Sequence, residues 1–263
     1  MDRYPLRLIF AGSGAKKGLD LYDGSYSFQG FAQALQLAIN AYRTGKPKGW
    51  STSLKGAQVL FTAPRRGSVI FDLEANFETP CKDAPSSADA FYDFLRVALK
   101  RATGALDEQA TTPYVRKKLA LDETLFDELA DKMEGPLQRA HRVIDNELIT
   151  VSLARPRSSL ITFDRRTSAW VHTREEDESI KTYTGHMTRY NTKTGNGRAF
   201  IREVGKIIPL RPAGEFHNKD LLTWSLHGDN IDVDKKLSFS ATAVLSAKSD
   251  VKRLILSDCV KAP

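Results

Sequence analysis

Leu237-Ser238-Phe239-Ser240-Ala241-Thr242-Ala243-Val244-Leu245 is the stretch that decides the fold of the second half of the chain. Apolar side chains occupy every second position of its first seven residues and alternate with hydroxyl-bearing ones. Successive side chains of a β-strand point to opposite faces, so the pattern predicts a strand with one core face and one polar face. A second closing strand is predicted over about residues 251–259.

The residues before this pair predict three further strands and a short helix, at about 180–191, 198–204, 206–210 and 218–226. An Asn196-Gly197 pair favours the positive φ angles of a tight hairpin, and Asn218 is suited to cap the helix. The order β-β-β-α-β-β resembles the OB fold, a five-stranded Greek-key barrel whose second and third strands bind oligonucleotides or oligosaccharides. Other small barrels share such an order, and the sequence leaves that choice open.

The first half of the chain predicts a sheet covered by helices. A hairpin is expected from Leu6–Ala11 and Leu19–Tyr22 around a glycine-rich tip, and a second one from residues 57–63 and 69–77 with a turn at Pro64–Ser68. Apolar side chains at three- and four-residue spacing predict amphipathic helices. We place them at about 27–44, 87–103 and 122–134, the last ending at Gly135-Pro136, with a short continuation over 137–144.

These patterns together predict an α+β protein. An N-terminal hairpin-helix-hairpin sheet with packed helices is followed by a small five-stranded OB-like β-barrel. We predict an N-terminal α+β domain over residues 1–146, a β connecting segment over 147–179 with strands near 148–153, 160–163 and 169–173, and the barrel over 180–263. The charge run 174–178 is expected to be a solvated connection.

Composition is that of a soluble globular protein. Of 263 residues, 41% are hydrophobic and 27% are charged, which is enough apolar material for a core. No apolar run approaches the roughly 18 residues of a membrane span, and no secretory leader is recognisable, so we expect a cytoplasmic protein without a membrane partner. Cys81 and Cys259 are expected to be reduced structural thiols.

The net charge of +7 is unevenly distributed. Lysines and arginines outnumber acidic residues by 11 to 6 in residues 1–82 and by 19 to 13 in residues 151–263, whereas residues 83–150 carry 9 basic and 13 acidic ones. A basic C-terminal half favours a phosphate-bearing partner such as nucleic acid or a nucleotide.

Side-chain alternation in the barrel predicts a binding surface. If Met187 and Ile201 point inward, the outward side chains are basic groups flanking aromatic ones, an arrangement that stacks bases and neutralises phosphates. These predicted binding residues are His186, Tyr190, Arg198, Phe200 and Arg202. The alternative is that Phe200 is covered and the arginines are ordinary surface charges.

No complete catalytic set is recognisable in the sequence. Asp72 and Glu74, two residues apart on one strand face, are metal-site candidates for a hydrolase, but Asn76 stands where many nuclease strands carry a lysine. The histidines show no ligand spacing for zinc. We therefore expect a protein that is not an enzyme and needs no cofactor.

Short motifs in the first 80 residues resemble a group of uncharacterised bacterial proteins. The motifs are Leu19-Asp20-Leu21, Ser27-Phe28-Gln29-Gly30 and Gly67-Ser68-Val69. In some members a compact C-terminal β-barrel follows, and their genes tend to lie on mobile elements and beside phage-defence loci. The resemblance implies an accessory, sensor or interaction role.

We therefore expect a prokaryotic binding protein whose barrel takes nucleic acid or a nucleotide-like ligand. A protein-interaction module that forms homo- or hetero-oligomers is the alternative. A metal-dependent hydrolase that uses Asp72 and Glu74 ranks third.

Overall fold

The structure is a computed structural model that describes residues 2–48, 54–64, 69–81, 83–105, 109–147, 149–174, 179–214, 216–229, 235–246 and 249–262. The chain divides into two compact units, residues 1–172 and 173–263. The first is an α+β unit with a five-stranded sheet and the second contains a closed five-stranded barrel, as predicted. The turn at residues 65–68 and residues 175–178 of the charge run lie outside the described residues.

The sheet of the first unit is built around its first strand. Its strands are β1 (Asp2–Gly12), β2 (Ala57–Pro64), β3 (Val69–Phe77), β4 (Ile149–Arg155) and β5 (Ser158–Phe163). They are ordered β2-β3-β1-β4-β5, and every neighbouring pair is antiparallel. One face of β1 carries Tyr4, Leu6, Leu8 and Phe10, all buried, and this face begins the hydrophobic core.

Six helices supply the rest of this core: α1 (Leu21–Thr44), α2 (Ala88–Ala102), α3 (Pro113–Leu121), α4 (Glu123–Ala140), α5 (Arg142–Glu147) and α6 (Arg165–Val171). The apolar stripes of α1, α2 and α4 are buried, with Leu37, Leu95 and Leu129 fully enclosed. None of the described helices combines the length and apolar character needed to cross a membrane.

The first predicted hairpin is not formed, because Asp20 begins a helix. Its side chain accepts hydrogen bonds from the backbone N–H groups of Tyr22 and Asp23, both at 2.9 Å. An aspartate in this position satisfies N–H groups that the first helical turn leaves without partners. Helix α1 therefore starts at Leu21, six residues before the predicted start, and residues 14–17 form a short 3-10 turn.

Two further helices differ from the prediction. Helix α4 continues through Gly135-Pro136 to Ala140, because the buried Leu137 and Ala140 hold that turn in the core despite the missing N–H of proline. Residues 169–171, predicted as strand, belong to α6. A reciprocal cap starts this helix: Asp164 accepts from the N–H of Thr167, whose hydroxyl accepts from the N–H of Asp164.

The predicted connecting segment is not a separate region. Strand β4 pairs with β1 and strand β5 pairs with β4, so residues 149–163 complete the N-terminal sheet. The division between the units falls at residues 172 and 173. A two-residue strand, β6 (Thr173–Arg174), then pairs with the second unit's sheet.

The second unit is a barrel of OB-like topology. Its elements are β7 (Lys181–Tyr190), β8 (Gly197–Ile201), β9 (Lys206–Pro212), α7 (Lys219–Asp229), β10 (Leu237–Ser246) and β11 (Val251–Lys261). The ring closes in the order β7-β8-β9-β11-β10 and back to β7, with β9 and β11 parallel and the other pairs antiparallel. A helix between the third and fourth strands of a five-stranded Greek-key barrel is the OB arrangement.

Local details of the barrel correct three predictions. The β7–β8 hairpin is a six-residue loop, Asn191–Asn196, in which Gly195 has the positive φ of 75° and Gly197 already belongs to β8. Among the described residues, the side-chain oxygen of Asn218 accepts no bond from an N–H of α7, and its amide nitrogen donates to Asp258 and to the carbonyl of Cys259. A register shift after Val244 leaves Leu245 half-buried, whereas Leu237, Phe239, Ala241 and Ala243 fill the core as predicted.

A close helix contact at Gly30 holds α1 against α4. A Cβ atom at this position would lie 2.4 Å from the backbone nitrogen of Ala140 and 2.5 Å from the carbonyl oxygen of Pro136. Beside it, the buried hydroxyl of Ser27 donates to the carbonyl of Arg139 and accepts from the N–H of Val143. Any side chain larger than hydrogen at position 30 therefore forces the two backbones apart.

We expect Gly30→Ala to lower the free energy of unfolding by about 1–3 kcal/mol, the usual cost of overpacking a rigid contact. Gly135→Ala is the matched control, because the residue is helical and no atom beyond its chain neighbours and its own helix backbone lies within 4 Å of the added Cβ. That variant should change stability by less than about 1 kcal/mol, because the lower backbone entropy of unfolded alanine is offset by the contact of its Cβ with the ring of Pro136. Urea unfolding followed by circular dichroism measures both, and equal effects of the two substitutions would contradict the close contact.

Candidate functional site

The inward face of the barrel is the one expected from alternation. Met187, Ala199 and Ile201 are fully buried, and Ile208 and Leu210 of β9 join them. The side chains between them on β8 and β9 therefore point outward. This outward surface of β7, β8 and β9 is the candidate site.

A β-bulge at Thr188 changes the direction of the side chains that follow it on β7. Met187 pairs with Ala199, but Arg189, and not Thr188, pairs with Arg198. The extra residue reverses the alternation, because the period of a strand is two. Arg189 therefore joins Arg198 on the outer face, and Tyr190 pairs with Gly197 on the inner side.

Strand β7 separates from β10 immediately before this bulge. Their pairing ends at Gly185 and Leu237, and continuing that register would place Met187 opposite Lys235. The hydroxyl of Ser225 on α7 bridges the gap: it accepts from the N–H of Met187 at 3.0 Å and donates to the carbonyl of Lys235 at 2.8 Å. Ser225 is fully buried, and its hydroxyl gives a partner to the buried N–H of Met187 and to the part-buried carbonyl of Lys235.

An apolar row crosses the outer face of the three strands. His186 pairs with Phe200, and Phe200 pairs with Ile207. The rings of His186 and Phe200 are stacked, with centroids 5.6 Å apart and an interplanar angle of 24°. Ile207 is 44% exposed, which is high for a large apolar side chain. We call these three residues the stacking row.

A cationic row lies beside the stacking row. Arg189 and Arg198 are directly opposed across β7 and β8, and Pro209 continues the row on β9. Residues i and i+2 of a strand share a face and are about 6.6 Å apart. The spacing between the Arg198 and Phe200 side chains is therefore about the length of one nucleotide. Like charges in directly opposed positions repel each other. We call Arg189 and Arg198 the arginine pair.

The five predicted residues thus fall into three groups. His186, Arg198 and Phe200 lie together on the outer face. Arg202 is exposed in the turn after β8, where its N–H donates to the carbonyl of Thr184. Tyr190 is not on this face, because the bulge turns its ring toward the core. Burial raises the pKa of the Tyr190 hydroxyl, with a smaller contribution from the Asp220 carboxylate.

Arg189 and Ile207 are the members of the site that the sequence did not reveal. The bulge that exposes Arg189 leaves no clear signal in the sequence, since Thr188 resembles any other strand residue. Ile207 was not predicted as a surface residue, because an isoleucine in a strand is usually part of the core.

Asp72 and Glu74 lie on the outer face of the N-terminal sheet, beside a depression of about 250 Å³ that Arg7 and Thr62 also line. The carboxylate of Asp72 accepts from Arg7 Nε at 3.0 Å, so a cation already neutralises it. Within the described ranges, no three His, Cys, Asp or Glu side chains meet as a metal site requires. Among the described residues, Asp72 and Glu74 therefore lack a third carboxylate, histidine or cysteine to share a metal ion.

The remaining titratable groups in the core have structural surroundings. Burial raises the pKa of the Cys259 thiol to about 11 and also raises that of Cys81, so neither thiol is an activated nucleophile. His141 is fully buried between the carbonyl of Leu137 and the hydroxyl of Thr167, and burial lowers its pKa. It joins the end of α4 to the cap of α6.

Comparisons of the chain with protein-family models, with curated proteins and with solved structures found no match. The OB-like assignment therefore depends on the strand order and on the position of α7 in this structure.

We expect Ser225→Ala to destabilise the barrel by about 1–3 kcal/mol, because it leaves the buried N–H of Met187 without a partner and removes the hydrogen bond to the carbonyl of Lys235. Amide hydrogen exchange at Met187 should become markedly faster. Thr223→Ala, at an exposed position two residues earlier on α7, is the control and should change neither quantity appreciably. Unchanged exchange at Met187 in the Ser225 variant would contradict the bridging role.

Proposed function

We propose that the barrel binds single-stranded nucleic acid across the outer face of β7, β8 and β9, and that the protein acts by binding and not by catalysis. The stacking row next to the arginine pair is the observation that carries this proposal. Aromatic side chains that stack bases, combined with cations that follow the backbone, are the usual means of binding single strands. Unstacked bases are required, because a duplex hides the base faces that such a row contacts.

The composition of the barrel supports the same partner. Residues 180–263 contain 14 lysines and arginines against 8 acidic residues. Such an excess raises the local concentration of phosphates and makes binding depend on salt. Stacking tolerates every base, so we expect weak sequence preference.

The cellular setting is part of the proposal. The resemblance of the N-terminal motifs implies an accessory or sensor role in phage defence or on mobile elements, and we propose a cytoplasmic location. A nucleic-acid sensor in that setting needs affinity for exposed single strands and no chemistry of its own.

We expect Phe200→Ala to weaken binding of a single-stranded oligonucleotide about tenfold, because stacking contributes about 1–3 kcal/mol per base. Replacing both members of the arginine pair by alanine should reduce the slope of log affinity against log salt by about 1.4, or about 0.7 per lost phosphate contact. Fluorescence anisotropy across a salt series measures both effects.

The matched control replaces Arg165 and Arg166, two exposed arginines of α6, by alanine. It removes the same charge from the other unit and should leave the salt slope unchanged. Absence of affinity for single-stranded DNA and RNA at low salt, or an unchanged affinity of Phe200→Ala, would refute the proposal.

A second candidate function, self-association, is favoured by the edge strand β2. This strand carries no charged residue and exposes Leu60 and Phe61, at 41% and 54%. Edge strands are usually protected by lysine, proline or a bulge, because their open backbone groups can pair with another chain. In β2 the bulge after Phe61 and Pro64 protect the C-terminal end and leave residues 57–61 open. An uncharged apolar edge is therefore suited to a second copy of the chain.

We expect Leu60→Lys to prevent any such association without unfolding the protein, because Leu60 lies opposite Glu74 and the new lysine gains an opposite charge across the strands. Light scattering of the native protein and the variant measures the effect. Leu121→Lys, at a leucine of α3 that is 72% exposed, is the control. A native protein that is monomeric at all concentrations would eliminate this candidate.

A further inference from the structure

A cavity lies at one end of the barrel, where the β7–β8 loop faces the connection between β9 and α7. Its volume is about 400 Å³, within the range of small-molecule sites. Tyr190, Pro212 and the buried Phe216 form an apolar floor. The loop residues Lys193, Thr194 and Gly195 form one wall, and Gly214, His217 and Lys219 form the other.

The rim of this cavity is cationic. Lys193, His217 and Lys219 are exposed, and none of them forms an ion pair with a carboxylate among the described residues. Among the described residues, the carboxylate of Asp220 lies near Tyr190. Glu215 follows Gly214 in the chain and lies outside the described residues. Two lysines that line an apolar depression suit an anion with an attached ring system.

The cavity adjoins the proposed nucleic-acid surface. Tyr190, part of the floor of the cavity, directly follows Arg189 on β7, and its partner Gly197 directly precedes Arg198 on β8. The bulge at Thr188 separates them by turning Arg189 outward and Tyr190 inward. A single-stranded nucleic acid that passes over the arginine pair toward this end of the barrel reaches the cavity next, and its end lies against the cavity floor.

We infer that this cavity binds a phosphate monoester carried by a nucleotide, and that in the proposed function it receives the phosphorylated end of a single strand. The terminal nucleotide contacts the ring of Tyr190, and Lys193 and Lys219 contact the phosphate. An internal phosphodiester carries one negative charge, whereas a terminal monoester carries close to two at neutral pH. The two lysines therefore favour the end of a strand over its interior. This inference rests on the proposed function.

The experiment compares three oligonucleotides of one sequence, with a 5′-phosphate, a 3′-phosphate or hydroxyls at both ends, for binding to the full chain. We expect one of the phosphorylated forms to bind about tenfold more tightly than the hydroxyl form. Lys193→Ala with Lys219→Ala should remove that difference and leave the affinity for the hydroxyl form within about twofold. Lys206→Ala, at the opposite end of β9, should preserve the difference.

The other arms separate this inference from the proposed function. Phe200→Ala should lower the affinity for all three oligonucleotides by the same factor, since each of them contacts the stacking row. If all three bind equally and depend on Phe200, the end-binding inference is overturned and the proposed function stands. If none binds but adenosine monophosphate does, in a manner that depends on Lys193 and Lys219, the phosphate monoester comes from a free nucleotide and the polymer proposal fails. If neither oligonucleotides nor the mononucleotide require the two lysines, the cavity is not a phosphate site.

Discussion

The hydroxyl of Ser225 occupies the position on which the candidate site depends. It bridges Met187 on β7 and Lys235, which precedes β10, at the point where these two strands stop pairing directly. A barrel of five strands must let some strands bend away from their neighbours, and each bend leaves backbone groups to be satisfied. Because α7 provides the hydroxyl, the helix between β9 and β10 is required for the course of β7 as well as for closing the core. The bulge at Thr188 follows within one residue of this bridge.

That bulge determines which side chains reach the outer face. Regular alternation predicted the inward direction of Met187 and Ile201, and with it the positions of His186, Arg198 and Phe200. It placed Tyr190 on the wrong side and missed Arg189, because a one-residue insertion reverses every later side chain while leaving composition and hydrophobicity unchanged. Strand alternation is therefore a reliable guide to the direction of a side chain only up to the first irregularity, and the pairing partner is needed beyond it.

The N-terminal unit shows why some sequence patterns predicted its helices correctly and others did not. Long apolar stripes identified α1, α2 and α4, because many apolar residues at helical spacing can be buried together only in a helix. Single polar residues decided the rest: Asp20 starts α1 inside a stretch that alternates like a strand, and Asp164 with Thr167 starts α6 where Ala169-Trp170-Val171 has strand-like composition. The motif residues Asp20, Ser27 and Gly30 have structural duties here, as a cap, a bridge to α4 and α5, and a close helix contact. Similarity in these residues therefore reports on a shared helix packing before it reports on a shared function.

The outer face of the barrel contains a local conflict that packing does not explain. Two arginines stand directly opposed on neighbouring strands, next to an isoleucine that is nearly half exposed. Like charges in opposed positions disfavour each other, and exposed apolar surface is hydrated at a cost in free energy. Such conflicts between local preference and stability concentrate where a protein binds something. In the proposed function, the phosphates of a single strand would contact the arginine pair and its bases would cover the stacking row.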